Sequence, residues 1–162
     1  MHEAILTSPS AEHTKHVAAI VARALRPGDV VMLTGDLGAG KTCFVQGAAA
    51  ALGVRTRVTS PSFVLVREYD GDVRILHADV YRLNALQELF DLEYEEVFTP
   101  DAVTFVEWGD AVEGALPDNR LEVQLTRETG DERRVLLRAH GLSWAQRFGD
   151  LARELRSHEV AS

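Results

Sequence analysis

The chain has 162 residues, 46% of them hydrophobic, which is enough to bury one substantial apolar core without disulfide or metal staples. Its net charge of −8 argues against a broad basic face gripping nucleic acid through phosphates, and its single cysteine, Cys43, excludes an intrachain disulfide or a cysteine zinc cluster. No run approaches the roughly 18 apolar residues of a membrane span, and the N-terminus MHEAILTSPS lacks a basic region followed by an apolar one, so a cytoplasmic protein is expected.

In chain order, residues 10–25 (SAEHTKHVAAIVARAL) place Val17, Ile20, Val21 and Leu25 on one helical stripe with Ser10 as N-cap, and Pro27 and Gly28 end it. The run VVML at 30–33 is β-branched and continuously apolar, as in a strand covered on both faces. A glycine-rich segment follows at once, TGDLGAGKTCF at 34–44. From Lys41 to Leu52 an alanine-rich stretch reads as a helix with Gly53 at its C-terminal cap. The turn-rich TSPSF at 59–63 leads into FVLVREY and, after Asp70-Gly71-Asp72, VRILHAD, an antiparallel hairpin. Residues 84–98 are periodic as a helix capped by Asn84, and AVTFVEW at 102–108 is a second buried strand. RLEVQLTRE and RRVLLRAH flank Thr129-Gly130-Asp131-Glu132 as a second hairpin. SWAQRFGDLARELRS closes the chain as an amphipathic helix. These elements predict an α/β, three-layer fold with a mixed, partly antiparallel central sheet, residues 1–140 forming the domain and 141–162 a helical extension.

The glycine-rich segment contains G-x-x-x-x-G-K-[ST], with Gly35, Gly40, Lys41 and Thr42 in the fixed places of a phosphate-binding loop. The glycines at 35, 38 and 40 allow left-handed turns and close approach to an anion, so that successive N–H groups can point at it. The following helix adds its positive end, Lys41 a point charge for the β and γ phosphates, and Thr42 a hydroxyl for Mg²⁺. Lysine occurs only here and at Lys15, whereas arginine supplies the other fifteen of seventeen basic residues, which makes a lysine at this place more telling. The loop is therefore expected to hold the phosphates of a nucleotide together with Mg²⁺.

Phosphoryl chemistry also needs a carboxylate near the metal, usually at the end of a neighbouring buried strand. Glu107 closes VTFVE and Asp79 closes VRILHAD; for each, the plainer reading is a solvated strand end. His77 reads as a structural histidine, and Cys43 as a small residue whose place inside a helix N-terminus would lower its pKa if it were reactive.

Taken together, GDLGAGKT, TSPSF, HADVYRL and VEWGD, in that order in so small a chain, resemble the bacterial tRNA threonylcarbamoyladenosine biosynthesis ATPases, the TsaE (formerly YjeE) family, over about residues 5–140. The resemblance implies a P-loop ATP hydrolase, slow without partners, that works with the threonylcarbamoyl transferase TsaD and its partner TsaB to form N6-threonylcarbamoyladenosine at position 37 of tRNA. It implies a cradle of Gly35, Asp36, Leu37, Gly38, Ala39, Gly40, Lys41, Thr42 and Cys43 for ATP, Thr42 and Glu107 as the Mg²⁺ holders, Asp79 of H-x-D-x-Y-R as the residue closest to water activation, and Trp108 as shaping the site beside Glu107. It also implies a switch-like segment at Thr59, Ser60, Pro61 and Ser62. Cys43 replaces the family's usual second threonine, and the helix after residue 141 extends past its usual end.

Two other readings use the same loop. A small-molecule kinase would need an arginine-rich lid, and only the Arg133-Arg134 pair in a hairpin comes near one. A nucleotide-gated assembly module with little turnover would share every motif. A signalling GTPase is excluded by the absence of N-K-x-D and of D-x-x-G after the second strand. An acidic protein of this kind is not expected to bind tRNA tightly by itself, or to engage a membrane.

Overall fold

The computed structural model describes residues 2–36, 38–59, 66–79, 94–108 and 117–158. Seven strands form one sheet: β1 (His2–Ser8), β2 (Val30–Thr34), β3 (Val66–Asp70), β4 (Arg74–Asp79), β5 (Ala102–Trp108), β6 (Arg120–Arg127) and β7 (Arg133–His140). The helices are α1 (Ala11–Ala24), α2 (Lys41–Ala51), the short turn α3 (Tyr94–Val97), α4 (Leu142–Ala145) and α5 (Phe148–Ser157). The sheet order is β1-β7-β6-β2-β5-β4-β3. Its centre, β6-β2-β5-β4, is parallel, and each flank is an antiparallel hairpin or strand pair. The mixed α/β architecture is therefore the expected one, and it is P-loop-like: β2, buried along its apolar run, feeds a glycine-rich turn into α2.

Ser10 caps α1 as its residue type dictates, its Oγ accepting from the His13 N–H at 3.1 Å. The stripe Val17, Ala18, Ile20 and Val21 is buried against α2 and the sheet, where it meets Val31, Leu33, Phe44, Val45 and Phe105. Leu25 is the C-cap rather than part of the stripe and is only partly buried. Burial alternates along the end of β1, with Leu6 and Ser8 inside and Ile5 and Thr7 outside, but the sequence does not display it, because the apolar Ile5 is 61% exposed and the polar Ser8 is buried. Of the helix expected over 84–98, Tyr94–Val97 is α3 and residues 84–93 lie outside the described residues.

The C-terminal segment breaks into α4 and α5 instead of running as one helix. In a continuous helix the Arg147 N–H would bond to the Ser143 carbonyl. Here the Arg147 side chain takes that carbonyl through Nε at 3.2 Å, and its N–H bonds to Trp144 O instead. Trp144, Phe148, Leu151 and Leu155 all join the common core. Among the described residues no helix is long and apolar enough to cross a membrane.

The packing of α1 on α2 is close enough to specify a glycine. A Cβ at Gly47 would stand 2.6 Å from both the Cα and the carbonyl oxygen of Lys15, so a methyl group would meet rigid backbone. Gly47→Ala gains about 1 kcal/mol of helix propensity but overpacks this contact, and a net destabilisation of about 1–3 kcal/mol is expected from the denaturation midpoint. A variant as stable as the wild type would show that α1 yields at Lys15.

Candidate functional site

The C-terminal ends of the parallel strands converge on the loop between β2 and α2, the end at which open α/β sheets bind ligands. The turn after Thr34 is tight because Gly35, at φ +144°, lies against β6: a Cβ there would sit 2.4 Å from the Leu125 carbonyl oxygen. Gly40, at φ +108°, is the N-cap of α2 and turns the chain into the helix without a side-chain cap. Between them the Ala39 N–H bonds to the Asp36 carbonyl at 2.9 Å. Leu37 lies outside the described residues. Lys41 Nζ reaches back over the loop, donating to the carbonyls of Gly35 at 2.6 Å and Asp36 at 3.1 Å.

Strand pairing brings the carboxylates to the same place. In the parallel register Asp79 of β4 stands opposite Glu107 of β5, and Glu107 stands opposite Leu33 of β2, one residue before the strand ends. Alternation puts His77 and Asp79 on one face of β4, the face on which Ile75, Phe105 and Leu33 meet α2. Thr42, in the first turn of α2, donates its hydroxyl to both oxygens of Glu107 at 3.0 Å each. Glu107 is only 4% exposed, yet it is well satisfied, since its Oε2 also meets Nε2 of the fully buried His77. Nδ1 of His77 finds no partner among the described residues.

His77 is thus a partner of Glu107, which reading the histidine alone did not reveal; the signal lay in the H-x-D alternation combined with the strand pairing. Trp108 ends β5 opposite Thr34, a placement known here from its backbone. Thr59 donates its N–H to the Tyr69 hydroxyl at 3.4 Å, while Ser60, Pro61 and Ser62 lie outside the described residues. At Cys43 burial is the largest influence and pushes the thiol up, outweighing the lowering by Lys15, the opposite of an activated helix-N-terminal thiol. Sequence reasoning weighed Arg133 only as half of a hairpin pair too small for a lid; its guanidinium in fact holds the loop from β7, donating to the Ala39 carbonyl at 3.0 Å and to that of Gly38 at 3.4 Å.

Among the described residues no three acidic, histidine or cysteine side chains gather as a ready-made metal cage. One hydroxyl and one carboxylate where the glycine loop enters α2 are nevertheless the donor set that suits Mg²⁺, which binds through one or two protein groups plus phosphate oxygens and waters.

Residues 8–135 match the family profile described as threonylcarbamoyl adenosine biosynthesis protein TsaE. The chain is 41% identical over 152 residues to the tRNA threonylcarbamoyladenosine biosynthesis protein TsaE of Bacillus subtilis, covering 93% of this chain and 92% of that one. It is 42% identical over 118 residues to the protein of that name from Treponema pallidum, covering 73% and 87%. A crystal structure of Bacillus subtilis YdiB superposes with a TM-score of 0.78 at 36% identity, over 97% of this chain and 96% of that one. That coverage takes in the C-terminal helices, which lie beyond the profile.

Proposed function

The chain belongs to the TsaE family, whose named members are tRNA threonylcarbamoyladenosine biosynthesis proteins, and we propose that it serves that modification as a Mg²⁺-dependent ATP hydrolase. The observation that carries the hydrolase reading is the Thr42–Glu107 contact at 3.0 Å, which sets a hydroxyl and a carboxylate side by side where the glycine cradle passes into α2. Thr42 and Glu107 would hold Mg²⁺, which supplies neutralisation of charge on the phosphate oxygens. His77 fixes the carboxylate of Glu107 from behind, so that it need not be ordered when the site is used. Lys41, now bonded to loop carbonyls, is close enough to exchange them for phosphate oxygens. Asp79, beside Glu107 in the register and partly buried at its strand end, would accept a proton from water. Trp108 flanks these groups along the chain.

The partners on this reading are a TsaD-type threonylcarbamoyl transferase and a TsaB-type protein in the cytoplasm, and contact with tRNA runs through them. The net charge of −8 supports that division of labour. Turnover of ATP, measured alone and with the transferase complex, tests the whole proposal.

Lys41→Ala isolates the binding step. Removing the one flexible cation of the loop is expected to weaken Mg·ATP binding tenfold or more, since hydrogen bonds to charged groups contribute about 1.5–3 kcal/mol. Calorimetry on the folded variant gives the answer, and unchanged affinity would sink the assignment of the loop.

A further inference from the structure

We propose that Arg133 is a positioning residue for the phosphate loop, working through hydrogen bonds to loop carbonyls and not through its charge on a nucleotide. The inference rests on the nucleotide reading given above and assigns a part of that site to the second hairpin.

Arg133 opens β7 and pairs with Arg127 of β6 on one side and with Ser8 of β1 on the other, so its backbone is held in the sheet. Its guanidinium spans the gap between hairpin and loop. On the hairpin side Nη1 donates to the carbonyls of Gly130 at 3.0 Å and Glu132 at 3.1 Å. The hairpin turn is itself closed, with the Glu132 N–H on Thr129 O and the Glu128 N–H on Glu132 O. On the loop side Nε and Nη2 take the carbonyls of Ala39 and Gly38. A planar, rigid fork anchored on one side can fix the direction of two successive peptides on the other, which a lysine ammonium cannot do.

That direction matters because a trans peptide points its C=O and the next N–H oppositely. With the Gly38 carbonyl turned to Arg133, the Ala39 N–H faces the loop interior, where it bonds to Asp36 O. The Ala39 carbonyl is turned the same way, so the Gly40 N–H is aimed away from Arg133. These two peptides lie between Gly38 at φ +80° and Gly40 at φ +108°, positions whose freedom would otherwise let the loop wander. Arg133 therefore supplies the restraint that the glycines give up.

The test compares Arg133→Lys with Arg133→Gln. If the fork acts on carbonyls, both variants lose affinity for Mg·ATP, on the order of tenfold, although the lysine keeps the charge. Both should also show faster amide hydrogen exchange at residues 39–42 with no nucleotide added, while exchange in β2 and β5 stays at the wild-type rate. A general loss of structure would speed all of these segments together. Arg133→Lys within twofold of the wild type in affinity would mean that charge is what matters, and unchanged exchange at 39–42 would mean that the loop stands without Arg133; either result overturns the proposal. The exchange measurement needs no nucleotide, so the clamp is tested even if wild-type protein fails to bind ATP, a failure that would instead strike the hydrolase reading.

Discussion

Asp79→Asn is expected to slow ATP hydrolysis by about 10²- to 10⁴-fold while leaving Mg·ATP affinity within a few-fold of the wild type, because proton acceptance from water is needed only in the transition state. The asparagine keeps the size and most of the hydrogen-bonding capacity of the side chain, so the strand end opposite Glu107 should be undisturbed. Glu107→Gln should behave differently. Its carboxylate accepts from Thr42 and meets His77 in a buried setting, and an amide there would turn an N–H toward one of those partners. Mg²⁺-dependent binding should then weaken along with turnover. Single-turnover kinetics beside calorimetry separates the two effects. If Asp79→Asn lost binding and Glu107→Gln kept it while losing turnover, the two roles would be exchanged.

What the sequence made legible was whatever chemistry is local. The phosphate loop is a run of consecutive residues whose glycines serve φ values no other residue adopts cheaply, so Gly35, Gly40, Lys41 and Thr42 can be placed before any fold is known. The buried strand β2 announces itself by an unbroken apolar run, β5 by one that only Thr104 interrupts before Glu107, and the two hairpins by their turns. Contacts that depend on strand order are a different matter. His77 and Glu107 are 30 residues apart and meet only because β4 and β5 pair in parallel with one particular register. Arg133 and Ala39 are 94 residues apart and meet only because β6 lies beside β2 with β7 next in line. Neither arginine spacing nor hairpin composition encodes that adjacency. The edge strand β1 escaped for a simpler reason: Ile5 is exposed and Ser8 buried, so its alternating burial is not matched by alternating hydrophobicity.

The contact that ties the C-terminal helices to the rest of the chain carries the largest expected effect on stability. Arg147 forms a two-pronged ion pair with Asp29, Nη1 to Oδ2 at 2.8 Å and Nη2 to Oδ1 at 2.6 Å, with both side chains only 10% exposed. The same guanidinium donates to the carbonyls of Ala24 and Ser143 and lies 3.8 Å from the centre of the Trp144 ring. Asp29 is further engaged by the Arg26 N–H at 2.7 Å, so the pair joins the end of α1, the entry to β2 and the α4–α5 junction. Truncation by Arg147→Ala leaves a buried carboxylate with one remaining partner, and the loss is expected to be about 3–5 kcal/mol. For a chain of this length that corresponds to a fall in Tm of about 6–20 °C. Arg147→Lys should recover part of the loss, since an ammonium restores the charge but not the fork or the stacking on Trp144. Removing Asp29 as well should cost less than the two single losses added together, because no charge is then stranded. Urea denaturation of the four proteins gives the coupling directly. A loss below about 1 kcal/mol for Arg147→Ala would place the pair among ordinary surface ion pairs and leave the apolar face of Phe148, Leu151 and Leu155 as the sole anchor of α5.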